Sequence, residues 1–202
     1  MLVDSERLAV KIDVEVLARL GWAITEAAVI ERFVGLSDAT IRREIEAHNG
    51  RRQANDWEQE FQQIYRAAFA AELTAVDGIA DTLDRITSQT CVASSGTHDK
   101  MLHARPERAP AALRRPHVQR DGGGARQARP DLYLHAAERM GVAPAACADL
   151  EDSRFGVEAA RAGGVRAFGY AGGLTPASRL AAPGAVMFSD MRELPPLLGE
   201  QP

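Results

Sequence analysis

Apolar residues recur every three to four positions through the first third of the chain, the period of a helix with one buried face. Leu8, Ile12, Val16 and Leu20 keep a four-residue step, and Gly21 follows as a stop signal. Further helices are predicted near Thr25–Val34, Asp38–His48 and Trp57–Ala71, each with polar residues on its opposite face. The stretch from Ser5 to about Ala75 therefore reads as an amphipathic bundle of about four helices, with no strand pattern. After Val76-Asp77-Gly78 the pattern changes. A helix over Ile79–Ile86 precedes a short apolar strand, Thr90-Cys91-Val92-Ala93, which runs into Ser94-Ser95-Gly96. A helix over Leu132–Met140, closed by Gly141, is followed by a strand over Cys147–Leu150 that ends in Glu151-Asp152-Ser153. A helix over Gly156–Ala162 and strands over Val165–Tyr170 and Val186-Met187-Phe188 complete the series. Strands alternating with helices predict an α/β fold, a parallel sheet with helices on both faces. Ligands of such sheets sit at the carboxyl ends of the strands, here marked by Ser94-Ser95-Gly96 and Glu151-Asp152-Ser153.

Composition changes the picture in one place. Arg105–Arg129 holds seven arginines, three prolines and the run Gly122-Gly123-Gly124, with only Leu113 and Val118 as larger aliphatic residues. Such a segment has too little to bury to order itself, and the expectation is a disordered or poorly packed stretch from Leu102 to Arg129. It carries no aromatic residue for base stacking, and the net charge of −4 argues against a nucleic-acid partner. No apolar run is long enough to span a bilayer, and the N-terminus has no basic-then-apolar signal pattern. Cys91 and Cys147 each adjoin an apolar run and are expected to be buried free thiols. A cytoplasmic protein, a monomer or weak dimer with a small-molecule partner and no membrane contact, is the expectation.

Two adjacent carboxylates at a strand end repel each other, and a hard cation such as Mg2+ relieves the repulsion. Glu151-Asp152 is such a pair, although Asp152 or Ser153 is equally suited to cap the helix that follows. The hydroxyls and backbone N–H groups of Ser94-Ser95-Gly96-Thr97 suit a phosphate seat, while Ser95 or Thr97 also suits a helix cap. Taken together, the two clusters favour a phosphate-plus-metal site.

The residues also carry a family resemblance. Leu2-Val3-Asp4-Ser5-Glu6 resembles the tail of the first haloacid-dehalogenase motif, D-x-D-G-x-L-x-D-S-E. Val92-Ala93-Ser94-Ser95-Gly96 resembles the second motif, and Leu150-Glu151-Asp152-Ser153-Arg154-Phe155-Gly156 with Val157-Glu158-Ala159-Ala160 resembles the fourth, E-D-S-x-x-G-x-x-A-A. The helical stretch is similar to the cap of the β-phosphoglucomutase-like branch. The resemblance implies a Rossmann-like core over residues 1–11 and 76–202, with an inserted helical cap over 12–75. It implies Ser94 as a catalytic residue that holds the phosphoryl group with Ser95 and Gly96. It also implies Glu151 and Asp152 as Mg2+ ligands.

The chain departs from the family pattern at two places. The nucleophilic aspartate and the acid/base aspartate of the first motif fall ahead of Met1, so the first strand of the core is expected to be absent. Gln127 stands where the third motif, G-K-P-x-P-D, has its lysine. Read one base later with GC-rich codons, His103–Arg115 can become TLGRSGLRRRFAG and Pro116–Arg129 can become RMFSATEVARGKPA, which restores that motif ahead of Pro130-Asp131. Compensating one-base shifts near Leu102 and Pro130 are therefore expected in the gene. The mutase members carry a cap histidine and a phosphate-holding arginine, and here Ala9 and Asp38 occupy those places. The resemblance thus implies a Mg2+-dependent phosphatase of a small sugar or sugar-acid phosphate acting through an aspartyl-phosphate, similar to 6-phosphogluconate phosphatases. This chain by itself is expected to be inactive. The alternatives are a non-catalytic protein that binds phosphorylated metabolites, and a phosphoglucomutase-like transfer.

Overall fold

The computed structural model describes residues 1–34, 38–50, 55–94, 117–119 and 130–200. Four helices come first: α1 Ser5–Arg19, α2 Glu26–Arg32, α3 Asp38–Asn49 and α4 Asn55–Glu72. The four-residue step of α1 buries Leu8, Ile12 and Val16 in a cluster with Phe61 and Leu73. Val10 and Leu17 of the same helix face a second cluster with Trp22, Val29, Phe33 and Ile45. Helix α1 is thus the shared wall between two small cores. Thr25 caps α2 by accepting a hydrogen bond from the Ala28 N–H at 3.2 Å. The Trp22 ring meets Phe33 edge-on and stacks on His48 with centroids 3.9 Å apart.

The chain enters and leaves this helical layer side by side. Val3 and Ala75 form an antiparallel bridge, flanked by Asp4 N–H to Thr74 O at 2.9 Å and Val76 N–H to Leu2 O at 3.1 Å. Each limb of the bridge is tied down by an arginine. Arg7 pairs with Asp4 at 3.2 Å on the way in, and Arg192 pairs with Asp77 at 3.0 Å on the way out.

The remainder is α/β. Helix α5 (Ile79–Arg85) leads to β1 (Val92–Ser94), which pairs in parallel with β2 (His117–Gln119). Helix α6 (Asp131–Met140), β3 (Ala148–Glu151), α7 (Arg154–Ala162), β4 (Arg166–Tyr170), α8 (Ala177–Leu180), β5 (Val186–Phe188) and α9 (Leu194–Leu198) follow. Strands β3, β4 and β5 form a second parallel sheet in that order. Phe168 and Tyr170 of β4 join Ile79, Leu83, Phe188, Met191 and Leu194 on one face. Ala167 joins Tyr133, Val157, Ala160 and Leu180 on the other. Burial of a parallel strand on both faces is what a layered α/β architecture requires.

Among the described residues no hydrogen-bonded pairing joins β1 to β3. The two strands nevertheless begin near each other, because the Cys91 thiol ahead of β1 feels the charges of Cys147 and Asp149. Among the described residues β1 pairs only with β2 and β3 only with β4, which leaves two hydrogen-bonded sheets.

Three expectations need correction. Both cysteines are free, but they are half-buried rather than buried, because each precedes its strand instead of lying within it. The first strand starts two residues later than its apolar pattern and ends one residue later, on Ser94. Disorder over 102–129 fails at His117–Gln119: backbone pairing with β1 forms a strand there that side-chain composition does not signal. The rest of 102–129, with Gln127, lies outside the described residues. Among those residues no helix is long and apolar enough to cross a membrane.

The C-terminal tail is anchored by one carboxylate. Glu200 accepts hydrogen bonds from the Thr87 hydroxyl at 2.6 Å and from the Ser88 hydroxyl and N–H at 2.6 and 3.2 Å. These donors favour the ionised form and hold its pKa down to about 2. The folded value lies below the unfolded one, so the contact contributes fully above the ordinary carboxylate range and is lost as pH falls towards 2. Glu200→Ala is expected to speed exchange of the Ser88 amide severalfold at pH 7 and to leave β4 amides unchanged.

Candidate functional site

Strand β3 ends on Glu151, with Asp152 and Ser153 in the turn that starts α7. Strand alternation puts Asp149 and Glu151 on the same side of the sheet. Tyr133, on the buried face of α6, reaches that side and donates its hydroxyl to Glu151 Oε1 at 2.6 Å. The Ser153 hydroxyl donates to Glu151 Oε2 at 3.1 Å and accepts from the Gly156 N–H at 3.0 Å. Ser153 is therefore the cap of α7, as one of the two sequence readings held, and it also fixes the carboxylate before it.

Gly156 has a steric reason. A Cβ at that position would lie 2.1 Å from Glu151 Cδ, inside the carboxylate itself. Gly156→Ala must push Glu151 off Tyr133, and a melting temperature lower by several degrees is expected. Glu151→Ala in the same chain is expected to recover part of that loss, and a thermal double-mutant cycle measures the coupling.

Charge is concentrated here. Burial raises the pKa of both Asp149 and Glu151, and each carboxylate is also disfavoured by acidic neighbours. The hydrogen bonds from Tyr133 and Ser153 partly offset the effect at Glu151. Burial and the charges of Asp149 and Glu151 in turn raise the Tyr133 pKa, so this phenol stays protonated and remains a donor. At Asp149 only the Leu150 backbone N–H gives such relief, and its Oδ2 is shut off from solvent without a hydrogen-bond partner.

Asp152 takes no part in the Tyr133 and Ser153 contacts to Glu151. Its Oδ2 stands 3.8 Å from the Met1 ammonium, and the carboxylate keeps partial access to solvent. A positive group thus already lies beside this carboxylate. Ser94 sits half-buried at the carboxyl end of β1. Ser95, Gly96 and Gln127 lie outside the described residues. Among the described residues no three His, Cys, Asp or Glu side chains converge as a ready-made metal cage. Glu151 and Asp152 remain as an all-oxygen pair at one strand end.

Sequence reasoning missed Tyr133 and Asp149. A tyrosine on the apolar face of a helix needs a partner for its hydroxyl, and that signal pointed to a carboxylate without saying which. An aspartate two residues before Glu151, inside a strand, carried its own signal of a shared face.

The family model for haloacid dehalogenase-like hydrolases matches residues 3–164. The chain is 29% identical over 177 residues to 6-phosphogluconate phosphatase of Escherichia coli strain K12, covering 83% of this chain and 76% of that one. It is 53% identical over 38 residues to fructose-1-phosphate phosphatase of the same organism, covering 19% of this chain and 20% of the other. A conserved haloacid dehalogenase-like protein of unknown function from Agrobacterium tumefaciens superimposes with a TM-score of 0.78 at 27% identity, covering 98% of this chain and 93% of that one.

Proposed function

The chain belongs to the haloacid dehalogenase-like hydrolases, and on that premise we propose that its site hydrolyses the phosphate ester of a small sugar or sugar acid with the help of Mg2+. The observation that carries the reading is the acid pair at the end of β3, in which Asp152 keeps partial access to solvent beside a Glu151 carboxylate locked by Tyr133 and Ser153. An all-oxygen pair suits Mg2+, which takes one or two protein carboxylates and completes its shell with water and substrate phosphate. Asp152 would hold the ion directly with Glu151 beside it, and bound there the ion would offset charge on the phosphoryl oxygens.

Ser94 and the backbone N–H groups of Ser95 and Gly96 hold the phosphoryl group in this reading. Gln127 occupies the lysine position without its charge. Residues 12–75 form the cap, over a core of 1–11 and 76–202. The sugar-phosphate class follows the 6-phosphogluconate phosphatase relative, which aligns with most of this chain. The motif matched by Leu2–Glu6 assigns the nucleophilic aspartate, and with it the aspartyl-phosphate, to a position ahead of Met1 on a strand between β1 and β3. Hydrolysis in this reading requires that aspartate.

The test compares the 202-residue chain with a form extended by a D-x-D-G strand, each assayed on p-nitrophenyl phosphate and 6-phosphogluconate. EDTA-sensitive hydrolysis by the extended form alone is the expected result. Turnover by the shorter chain would overturn the assignment of the nucleophile, and an inert extended form would overturn the phosphatase reading. A second reading, a binder of phosphorylated metabolites without turnover, is favoured by Gln127, which lacks the charge of the motif lysine. It predicts calorimetric binding of 6-phosphogluconate by an inert extended form.

A further inference from the structure

The loop after β4 lies against two separate parts of the molecule. Its start is fixed to the α/β part, with the Ala171 N–H donating to Phe188 O at 2.8 Å. At Gly172 there is no room for a side chain, because a Cβ would stand 2.4 Å from both Ser189 O and Tyr170 Oη. The loop leaves the sheet as a closely held backbone. Its far end belongs to the helical layer. Leu174, half-buried, packs against the cluster built by Val10, Leu17, Trp22, Val29, Phe33 and Ile45. Between the two, Arg7 of α1 donates to Gly172 O at 3.2 Å.

All other members of that cluster come from residues 10–45. Leu174 stands more than 120 residues further along and, among the described residues, is the one member of this core that the α/β part contributes. A side chain held by one layer and buried in another fixes their relative position. A lever arm that bends would not do so, but the tight backbone at Gly172 leaves little slack.

We propose that Leu174 is a latch that fixes the helical layer over the carboxyl ends of β3 and β4. Any swing of the helical layer about the Val3–Ala75 bridge must first withdraw Leu174 from the Trp22 cluster. The Arg7 contact adds a polar guide beside it. Leu174 acts here as a positioning residue, and nothing in the argument needs the catalytic reading to hold.

The test is a distance measurement between the two layers in the full chain. Cys91 and Cys147 are replaced by serine, and spin labels are placed at two exposed positions, Ala47→Cys on α3 and Arg139→Cys on α6. Pulsed dipolar spectroscopy then compares Leu174 with Leu174→Ala and with Leu174→Met, which keeps the buried volume. Leu174→Ala should raise the ratio of long to short distances roughly tenfold, the shift expected for ~1.4 kcal/mol of lost burial. Leu174→Met should keep the parent distribution. If Leu174→Ala melts below the working temperature, Leu174→Val is read instead and must shift the distribution in the same direction. An unchanged distribution in a folded Leu174→Ala or Leu174→Val chain, with only the melting temperature lowered, overturns the proposal. That result would make Leu174 an ordinary packing residue.

Discussion

Asp152→Asn, made in the form extended by a D-x-D-G strand, is expected to lower kcat by roughly 100-fold or more and to raise the Mg2+ requirement at least about tenfold. The amide is nearly isosteric with the carboxylate but carries no charge to offset a divalent cation, so binding suffers before geometry does. Ser94→Ala separates the two effects. It removes a hydroxyl at the end of β1 and leaves both strand-end carboxylates in place, so the rate should fall with little change in Mg2+ dependence. Gln127→Lys tests the third position by adding a full positive charge where the family pattern has one, and should raise the rate. The readout is kcat against Mg2+ concentration for each variant on one substrate. Equal Mg2+ dependence in Asp152→Asn and its parent would remove Asp152 from the metal site.

Asp149→Val should stabilise the protein. The aspartate sits in β3 with one carboxylate oxygen shut off from solvent and unpartnered, beside a second acid on the same face. An unsatisfied buried polar atom costs about 1–3 kcal/mol, and valine suits a strand position of this kind. For a chain of this length the gain is a rise in melting temperature of roughly 5 °C. The sign with pH is fixed by the direction of the shift. The Asp149 pKa is raised in the folded state by burial and by Glu151, so ionisation opposes folding. Relative stability is greatest below the unfolded value and is lost as pH rises through the folded one. The advantage of Asp149→Val over the parent should therefore be larger at pH 8 than at pH 5, measured by thermal melts at both. A lower melting temperature for Asp149→Val at pH 8 would mean that Asp149 has a partner that offsets its burial.

Much of the layer order was legible in the sequence, for a physical reason. The four-residue step of Leu8, Ile12 and Val16 is a local pattern with one solution, a helix with a buried face. The carboxyl end of β3 was legible because an apolar strand that breaks into Glu151-Asp152-Ser153 must turn there. Less legible was whatever depends on a distant partner. Strand β2 exists through its ladder with β1, and nothing in His117-Val118-Gln119 taken alone specifies that pairing. The same holds for Glu151. As a strand-end acid it promised an open ligand, but both of its oxygens are engaged by Tyr133 and Ser153, and Gly156 is shaped around it. Its sequence position was right; its neighbours, 18 residues upstream in the case of Tyr133, decided its orientation. Leu174 shows the effect at longer range, since only the folded chain brings it to Trp22.

The bridge between Val3 and Ala75 has a consequence for how such a chain can change over time. The whole helical layer hangs between two limbs that lie hydrogen-bonded beside each other. The span it must close is therefore the same whether it holds four helices, two, or a short turn, and closure entropy grows only slowly with loop length. Helices can be lengthened, swapped or removed there without moving β3 or the carboxylates at its end. Arg192 grips the outgoing limb at Asp77 from the α/β side, and the first turn of α1 ties the incoming limb through Arg7 to Asp4 and Gly172 O. The joint works as a socket, and what hangs in it can be replaced as a unit while the strand-end carboxylates stay where they are.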